Sequence, residues 1–285
     1  MADDTARPST ADLAPMRALY VDLDGTLLGK GASLLHDGEG NVTLLGARAL
    51  EACHRAEVEV VIMSGRKQAQ VVEDARLIGS SSYICEVGSI VVVDGEEEFL
   101  TGELQPDELS IFEQVGERGA PQLLLERYNG KLEHHAPWHT ERQVSHLFRG
   151  EVDLQEANEL LIEQGHTELQ LIDNGIIERK FDSLPDCDQP RTYHLIPSAA
   201  SKARAVARHM QARQYEPSEC IAVGDSHEDL AVADVVGTFW FVANALTSDP
   251  SLRSAAAALS NVRVAEASNG AGVYEAVLSS LAERR

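Results

Sequence analysis

Apolar and polar positions alternate along this chain in two rhythms. Short, mostly apolar runs at Met16 to Val21, Val58 to Met63, Cys220 to Val223 and Thr238 to Val242 have the length and composition of strands buried on both faces. Between and after them lie stretches with helical spacing. Thr43 to Ala56 sets Leu44, Leu45, Ala47 and Leu50 on neighbouring faces, a helix is expected after Arg66 through about Ile78, and another over Ser201 to Gln211. Ser82 to Glu86 predicts a third core strand, and Ile90 to Val93 with Glu97 to Leu100 flank the turn pair Asp94-Gly95. Strands that alternate with helices predict an α/β fold: a doubly wound, mostly parallel, Rossmann-like sheet.

From Leu100 to about Tyr193 the rhythm changes. Pro106 to Val115 suits a helix, and Gln122 to His135 reads as a hairpin around Asn129-Gly130. Asp153 to Gln164 reads as a second helix, with Asp153 and Glu156 at capping-box spacing and Gly165 as its stop. Glu168 to Phe181 reads as a second hairpin, around Asn174-Gly175, and Ser183 to Gln189 as a return hinge. Helix followed by hairpin, twice over, predicts a small α+β module inserted in the larger domain. The expected division is therefore a disordered tail at 1–15, the first part of the core domain at 16–99, the α+β cap domain at 100–193 and the second part of the core at 194–285. The tail assignment follows from acidic and small residues where a signal peptide needs basic and then apolar ones.

Composition narrows the function. The 285 residues are 44% hydrophobic, enough for a real core. Against 24 basic side chains stand 46 acidic ones, a formal charge of −22, which argues against nucleic acid or an anionic membrane as partner. An anionic substrate must then be drawn in locally, by a metal and a few cations. The four cysteines are scattered without CxxC spacing, as suits a reducing cytosol, and no apolar run reaches membrane-spanning length, so a cytoplasmic location is expected.

The candidate chemistry begins in Val21 to Leu28, VDLDGTLL, where Asp22 and Asp24 flank Leu23 at a strand end. Two carboxylates there repel each other unless a cation or a reacting phosphate lies between them. A solvated Asp-Gly turn is the plain alternative; a calcium loop does not fit, because its glycine comes at the sixth position. A second strand ends at Ser64-Gly65-Arg66, a hydroxyl and free backbone N–H groups leading into a helix, which suits an anion or an ordinary helix cap. Lys202 lies in the first turn of its helix, where a cation is disfavoured unless an anion is near. Cys220 to Val223 runs into Gly224-Asp225-Ser226-His227-Glu228-Asp229, two acids four residues apart that can face one ion.

In this order the four segments resemble the motifs of the haloacid dehalogenase superfamily, and the resemblance extends from Met16 onward. Residues 100–193 fall where its type-two caps are inserted, and FVANA at Phe241 to Ala245 and SNGAG at Ser268 to Gly272 are similar to its sugar-phosphate branch. The resemblance implies an Mg²⁺-dependent phosphatase that acts on a small phosphorylated metabolite, a sugar or glycerate phosphate, through an aspartyl-phosphate. Asp22 would be the nucleophile and Asp24 the acid and base. The metal would be held by Asp22, Asp24 through its carbonyl, and Asp225, with Asp229 as a further ligand or as the group orienting Asp225. Ser64, with Gly65 and Arg66 beside it, and Lys202 would bind the phosphoryl group, and Thr26 would brace the loop. A phosphomutase or phosphotransferase using the same aspartate, or a catalytically weak phospho-ligand-binding regulator, are the other readings.

Two positions depart from the branch: Glu228 stands where Asn is usual, and Val87 precedes Gly88 where Asn is common. In the cap, His134 to Arg149 holds four of the ten histidines with Trp138 and Arg149. It reads as a solvated loop, as a specificity loop using Trp138 and Arg149, or as a zinc site, although its spacings match no common zinc pattern.

Overall fold

The mostly apolar runs do become strands, and they assemble side by side. The structure, a computed structural model, describes residues 14–177 and 179–284. In the first part of the chain come β1 (Ala18–Val21), α1 (Leu45–Arg55), β2 (Glu59–Met63), α2 (Gln68–Ile78), β3 (Tyr83–Cys85), β4 (Ile90–Val93) and β5 (Glu96–Phe99). The middle holds α3 (Ile111–Glu117), α4 (Ala120–Arg127), β6 (Leu132–His134), β7 (His146–Gly150), α5 (Leu154–Glu163), β8 (Leu169–Ile176) and β9 (Arg191–Pro197). The last part adds α6 (Lys202–Arg213), β10 (Cys220–Gly224), α7 (His227–Leu230), β11 (Thr238–Phe241), α8 (Ala243–Ser248), α9 (Leu252–Ala257), β12 (Val262–Val264) and α10 (Asn269–Glu283).

The first and last parts share one eight-stranded sheet in the order β12-β11-β10-β1-β2-β3-β4-β5, parallel except where β4 joins β3 and β5. From β1 the chain winds outward one way through β2 and β3, and from β10 the other way through β11 and β12. The reversal lies between β1 and β10, and there an open α/β sheet leaves a crevice at its strand ends. All four residues of β1 and all five of β10 are buried, so both faces of the sheet centre are covered.

The middle part forms a separate antiparallel sheet, β6-β7-β9-β8, as the α+β module predicts, but its elements differ from expectation. Gln122 to His135 is not a hairpin. Pro121 opens α4, the helix formers after it continue it with Leu124 buried, and Asn129-Gly130 turns that helix into β6. Nor does Asn174-Gly175 turn a hairpin: β8 runs straight through it, with an irregularity against β9 between Asp173 and Ile176. Ser183 to Gln189 is a connection inside the module, not its hinge, and the Asp188 and Gln189 amides donate to Glu151 at 2.7 and 3.0 Å. The boundary at 193 falls within β9, which stays in the cap sheet to Pro197, so the crossing back to the core comes at 198–201. The helix expected from Pro106 starts at Ile111, because Ser110 and Glu113 close a capping box there. The 1–15 tail lies outside the described residues except for 14 and 15. Among the described residues no helix is long and apolar enough to cross a membrane, and all four cysteines are free and buried.

Candidate active site

Four neighbouring strands of the core sheet are each followed by a polar residue, and the residues after three of them line one crevice. Asp22 follows β1, Ser64 follows β2, Glu86 follows β3 and Asp225 follows β10. The ladder carries on one step into this rim, with the Asp22 amide donating to Val223 at 3.0 Å and the Ser64 amide to Ile84 at 2.9 Å.

Lys202 stands in the middle of this rim. Its ammonium is 1% exposed and donates to Asp22 Oδ1 at 2.8 Å and to Asp229 Oδ1 at 2.6 Å. Asp22, Asp225 and Asp229 each offer an oxygen within 4.8 Å of the others, a set able to hold a metal ion. The local charge favours one: two buried carboxylates and the partly buried Asp225 face a single lysine, whose own pKa is raised by the two acids it touches. Burial pushes the Asp22 carboxyl up to about 7 despite Lys202, and burial with repulsion from Asp22 and Asp229 pushes Asp225 well above the usual carboxylate range. A small divalent cation with oxygen ligands would relieve both.

The acids are not equivalent. Asp229 is saturated: its second oxygen accepts from the Asp225 and Ser226 amides at 3.2 and 3.1 Å and from the Ser226 hydroxyl at 2.6 Å. Asp225 accepts only from the Thr26 hydroxyl at 3.0 Å, so it has a free oxygen. Thr26 is fully buried and serves that carboxylate rather than the open cavity. Asp24 is outside the set of three. Its half-exposed carboxylate is gripped by Arg66 through two hydrogen bonds of 2.7 and 2.6 Å, and Arg66 is anchored behind by Asp74 at 2.8 Å. Ser64 is no helix cap, because the N-cap position of α2 is Lys67; its oxygen instead accepts from the Arg66 amide at 3.2 Å.

Both departures from the family pattern acquire a local cause. Glu228 accepts from the Lys202 amide at 3.1 Å and so caps α6, with burial raising its carboxyl to about 7. Val87 sits at φ 58°, between Glu86 at 47° and Gly88 at 80°, a left-handed run in which Asn is at ease and a β-branched residue is not. The strain is held in place because a methyl group on Gly88 would lie 2.2 Å from the Ser201 carbonyl, so this loop packs directly on the start of α6.

The cap closes the crevice into a cavity of about 1270 Å³. From the core it is lined by Asp22, Asp24, Ser64 and Lys202, and from the cap by His135, Trp138, Arg142, Asn174 and His194. Trp138 is thus at the cavity, half-exposed. Arg149 is not: it pairs with Glu133 at 2.6 Å and lies 3.8 Å from the centre of the Phe181 ring. Its charge still reaches the wall, since burial, then Arg149 and other arginines, push the His135 imidazole down to about 4. The zinc alternative finds no cluster. Among the described residues the three aspartates are the one group close enough to share an ion, while His134 stacks on His139 and Phe148.

Several residues at the site have contacts that the sequence alone does not assign. Gly65 touches the cap so closely that a methyl group on it would lie 2.8 Å from Asn174 Nδ2 and 3.0 Å from His194 Nε2. The Asn174-Gly175 pair was the visible signal for the first of these, but of a bulge aiming a side chain rather than of a turn. Asn244 and Asn269 both donate to the Gly25 carbonyl, at 2.8 and 2.9 Å, and lie in the FVANA and SNGAG stretches. Glu86 and Arg142 join core to cap and carry no motif.

The sequence pattern of the haloacid dehalogenase-like hydrolases matches residues 19–276. The chain belongs to that family. The expected α/β fold and hydrolase class are thereby met. Over 233 residues it is 26% identical to a phosphoglycolate phosphatase of Halorubrum lacusprofundi, covering 80% of this chain and 84% of that one. A phosphoglycolate phosphatase of Archaeoglobus fulgidus is 26% identical over 232 residues with the same coverage. Among solved structures, the sucrose-phosphatase of Synechocystis in complex with sucrose and phosphate superposes with a TM-score of 0.66 at 16% identity, over 94% of this chain and 98% of that one. A haloacid dehalogenase-like hydrolase from B. subtilis gives 0.59 at 18% identity, over 92% and 99%.

Proposed function

We propose that this hydrolase cleaves the phosphomonoester of a small phosphorylated metabolite, a sugar or glycerate phosphate, through an aspartyl-phosphate on Asp22 with Mg²⁺ as cofactor. One observation carries the reading: Asp22 and Lys202, buried and 2.8 Å apart, meet where Asp22 joins Asp225 and Asp229 in a metal-type cluster on the floor of a cavity closed by a separate module. The phosphatases among the relatives support the same reaction class. The buried, reduced cysteines suit a cytoplasmic setting.

Asp22, the Asp24 carbonyl and Asp225 would hold the ion, and Asp229, its oxygens already taken, would orient Asp225 and Lys202. Bound there, a divalent cation offsets the repulsion between a carboxylate and a phosphate dianion and the charge that builds in transfer. An Asp22 oxygen attacks phosphorus as the ester oxygen leaves, and Asp24 gives that oxygen a proton. The same Asp24 then takes a proton from the water that attacks phosphorus, the Asp22–phosphorus bond breaks, and phosphate departs. The Arg66 grip fixes where the Asp24 carboxylate lies between these steps. Lys202 has three N–H donors and two are spent on Asp22 and Asp229, which leaves one for a phosphoryl oxygen. The Ser64 hydroxyl proton supplies another.

Purified protein should release phosphate from an aryl phosphate and from members of a panel of phosphorylated metabolites with Mg²⁺, and chelation should stop it. Binding of phosphorylated ligands with no turnover across the panel would replace the enzyme reading with a binding one.

A further inference from the structure

The carboxylate of Glu86 belongs to the core, yet its hydrogen-bond donors belong to the cap. It is fully buried, and Oε1 accepts from the Gln143 amide at 2.8 Å. Oε2 accepts from the Val144 amide at 3.1 Å, the Ser145 amide at 2.7 Å and the Ser145 hydroxyl at 3.0 Å. A carboxylate so surrounded by donors acts as an acceptor only, and this fixes where the single Ser145 proton points.

The consequence passes along the chain of contacts. The Ser145 oxygen, having given its proton to Glu86, accepts from Arg142 Nε at 2.8 Å. Its remaining partner is His194 Nδ1 at 3.3 Å, which must therefore carry the imidazole proton. The other ring nitrogen, Nε2, is then a bare lone pair, and it is this atom that comes up against Gly65 at the cavity wall. His194 is 1% exposed, and burial with the neighbouring charges of Arg142 and Lys202 keeps the ring neutral.

A lone pair here cannot bind phosphoryl oxygens, which are themselves acceptors. It can bind a hydroxyl. We propose that His194 is a specificity-determining hydrogen-bond acceptor, set as the Nδ1–H tautomer by Glu86 through Ser145, that selects phosphate esters bearing a free hydroxyl close to the ester carbon. Asn174 Nδ2, packed on the same glycine, supplies the donor that the hydroxyl oxygen needs. Glu86 is a positioning residue in this scheme, since it touches no substrate. The inference rests on the phosphatase reading and says which leaving groups that site prefers.

Two measurements test it. With Mg²⁺, kcat/KM is compared for glycerol 3-phosphate and n-propyl phosphate, which differ in hydroxyls alone, with an aryl phosphate as the control for phosphatase activity. The hydroxylated ester should be favoured by about tenfold or more, the scale of one buried hydrogen bond, and His194→Phe should bring the ratio near one. An aryl phosphate turned over with no preference between the two esters overturns the inference and leaves the phosphatase standing; no turnover of any of the three overturns the phosphatase. The second measurement needs no variant to fold and no activity: ¹⁵N-histidine NMR of the unaltered protein should show His194 protonated at Nδ1. A proton on Nε2 overturns the proposal outright. Glu86→Gln, whose amide opposes the donors around it, should shift that signal toward the other tautomer and reduce the ester preference, and an unmoved signal removes Glu86 from the scheme.

Discussion

The floor and the roof of the cavity are built on opposite electrostatic plans. On the floor, Asp22, Asp225 and Asp229 crowd around one ammonium, and burial makes their charges costly. On the roof, His135 and His194 are held neutral by burial and by nearby cations, and Asn174 and Trp138 add polarity without charge. The difference is a division of labour. In the proposed reaction a phosphoryl dianion and a metal are common to every substrate, so the floor would read charge. Leaving groups differ in shape and hydroxyls, and a roof whose charges are already paired, Arg142 with Glu86 and Arg191 with Asp173, presents imidazoles, an amide and one indole that can read those.

If that division holds, floor variants should fail on every substrate alike. Asp22→Asn should show the largest loss, about four orders of magnitude or more in kcat on aryl and metabolite phosphates, because an amide does not form the covalent intermediate. A rate near that of the parent sinks the covalent mechanism. Lys202→Met should cost about 10²- to 10³-fold, again without regard to leaving group. A loss confined to one substrate would move Lys202 from the floor's plan to the roof's.

Joining the two plans is Glu86, and Glu86→Ala should be read in stability. It strands three amides and a hydroxyl at the buried seam, so thermal or urea unfolding should show a loss of about 3 kcal/mol. An unchanged midpoint would mean that the seam is held by other contacts, such as Arg191 with Asp249 at 3.0 Å.

The floor's crowding also sets a pH signature. The folded-state pKa of Asp22, about 7, lies above its ordinary 3.8. Its contribution to stability is therefore complete below about pH 4 in the metal-free protein and is lost as pH rises through 7. Mg²⁺ should cancel this loss, so the rise in Tm on adding it should be greater at pH 8 than at pH 5. Depressed acids elsewhere, such as Glu59 and Asp94, slope the other way and drop out of the difference between the two melts. Equal rises at both pH values would place the metal away from Asp22. The smallest effect belongs to Arg149→Ala: kcat/KM should stay within about twofold, because the side chain lies outside the cavity. Trp138→Ala should lower turnover of bulky esters several-fold and spare small ones.

The same contrast marks what the sequence disclosed. Strand ends are short apolar runs closed by polar residues, so Asp22, Ser64 and Asp225 could be placed from the chain alone, and Lys202 stood out as a cation at the wrong end of a helix. The cap resisted because its cues are local while its pairing is not. Asn129-Gly130 and Asn174-Gly175 are hairpin dipeptides in isolation; a preceding helix opened by Pro121 and the pairing of β8 with β9 out to Ile176 decide otherwise. Composition points to Trp138 and Arg149 together, and only Trp138 reaches the cavity. Nothing in the sequence marks Glu86 or His194, since both meet Ser145, which lies 59 positions from the first and 49 from the second.

The turn at Gly25, finally, is fastened by side chains that the ribosome delivers late. Its carbonyl has two donors, Asn244 and Asn269, which follow it by 219 and 244 positions. A nascent chain thus exposes Asp22 about two hundred residues before the two donors that tie the loop beside it. Domains generally fold as units during synthesis, amino-terminal parts first; here the division of one sheet between the two ends of the chain forbids that order. A product terminated before Asn244 carries Asp22 and Asp24 without either of the side chains that fasten their loop.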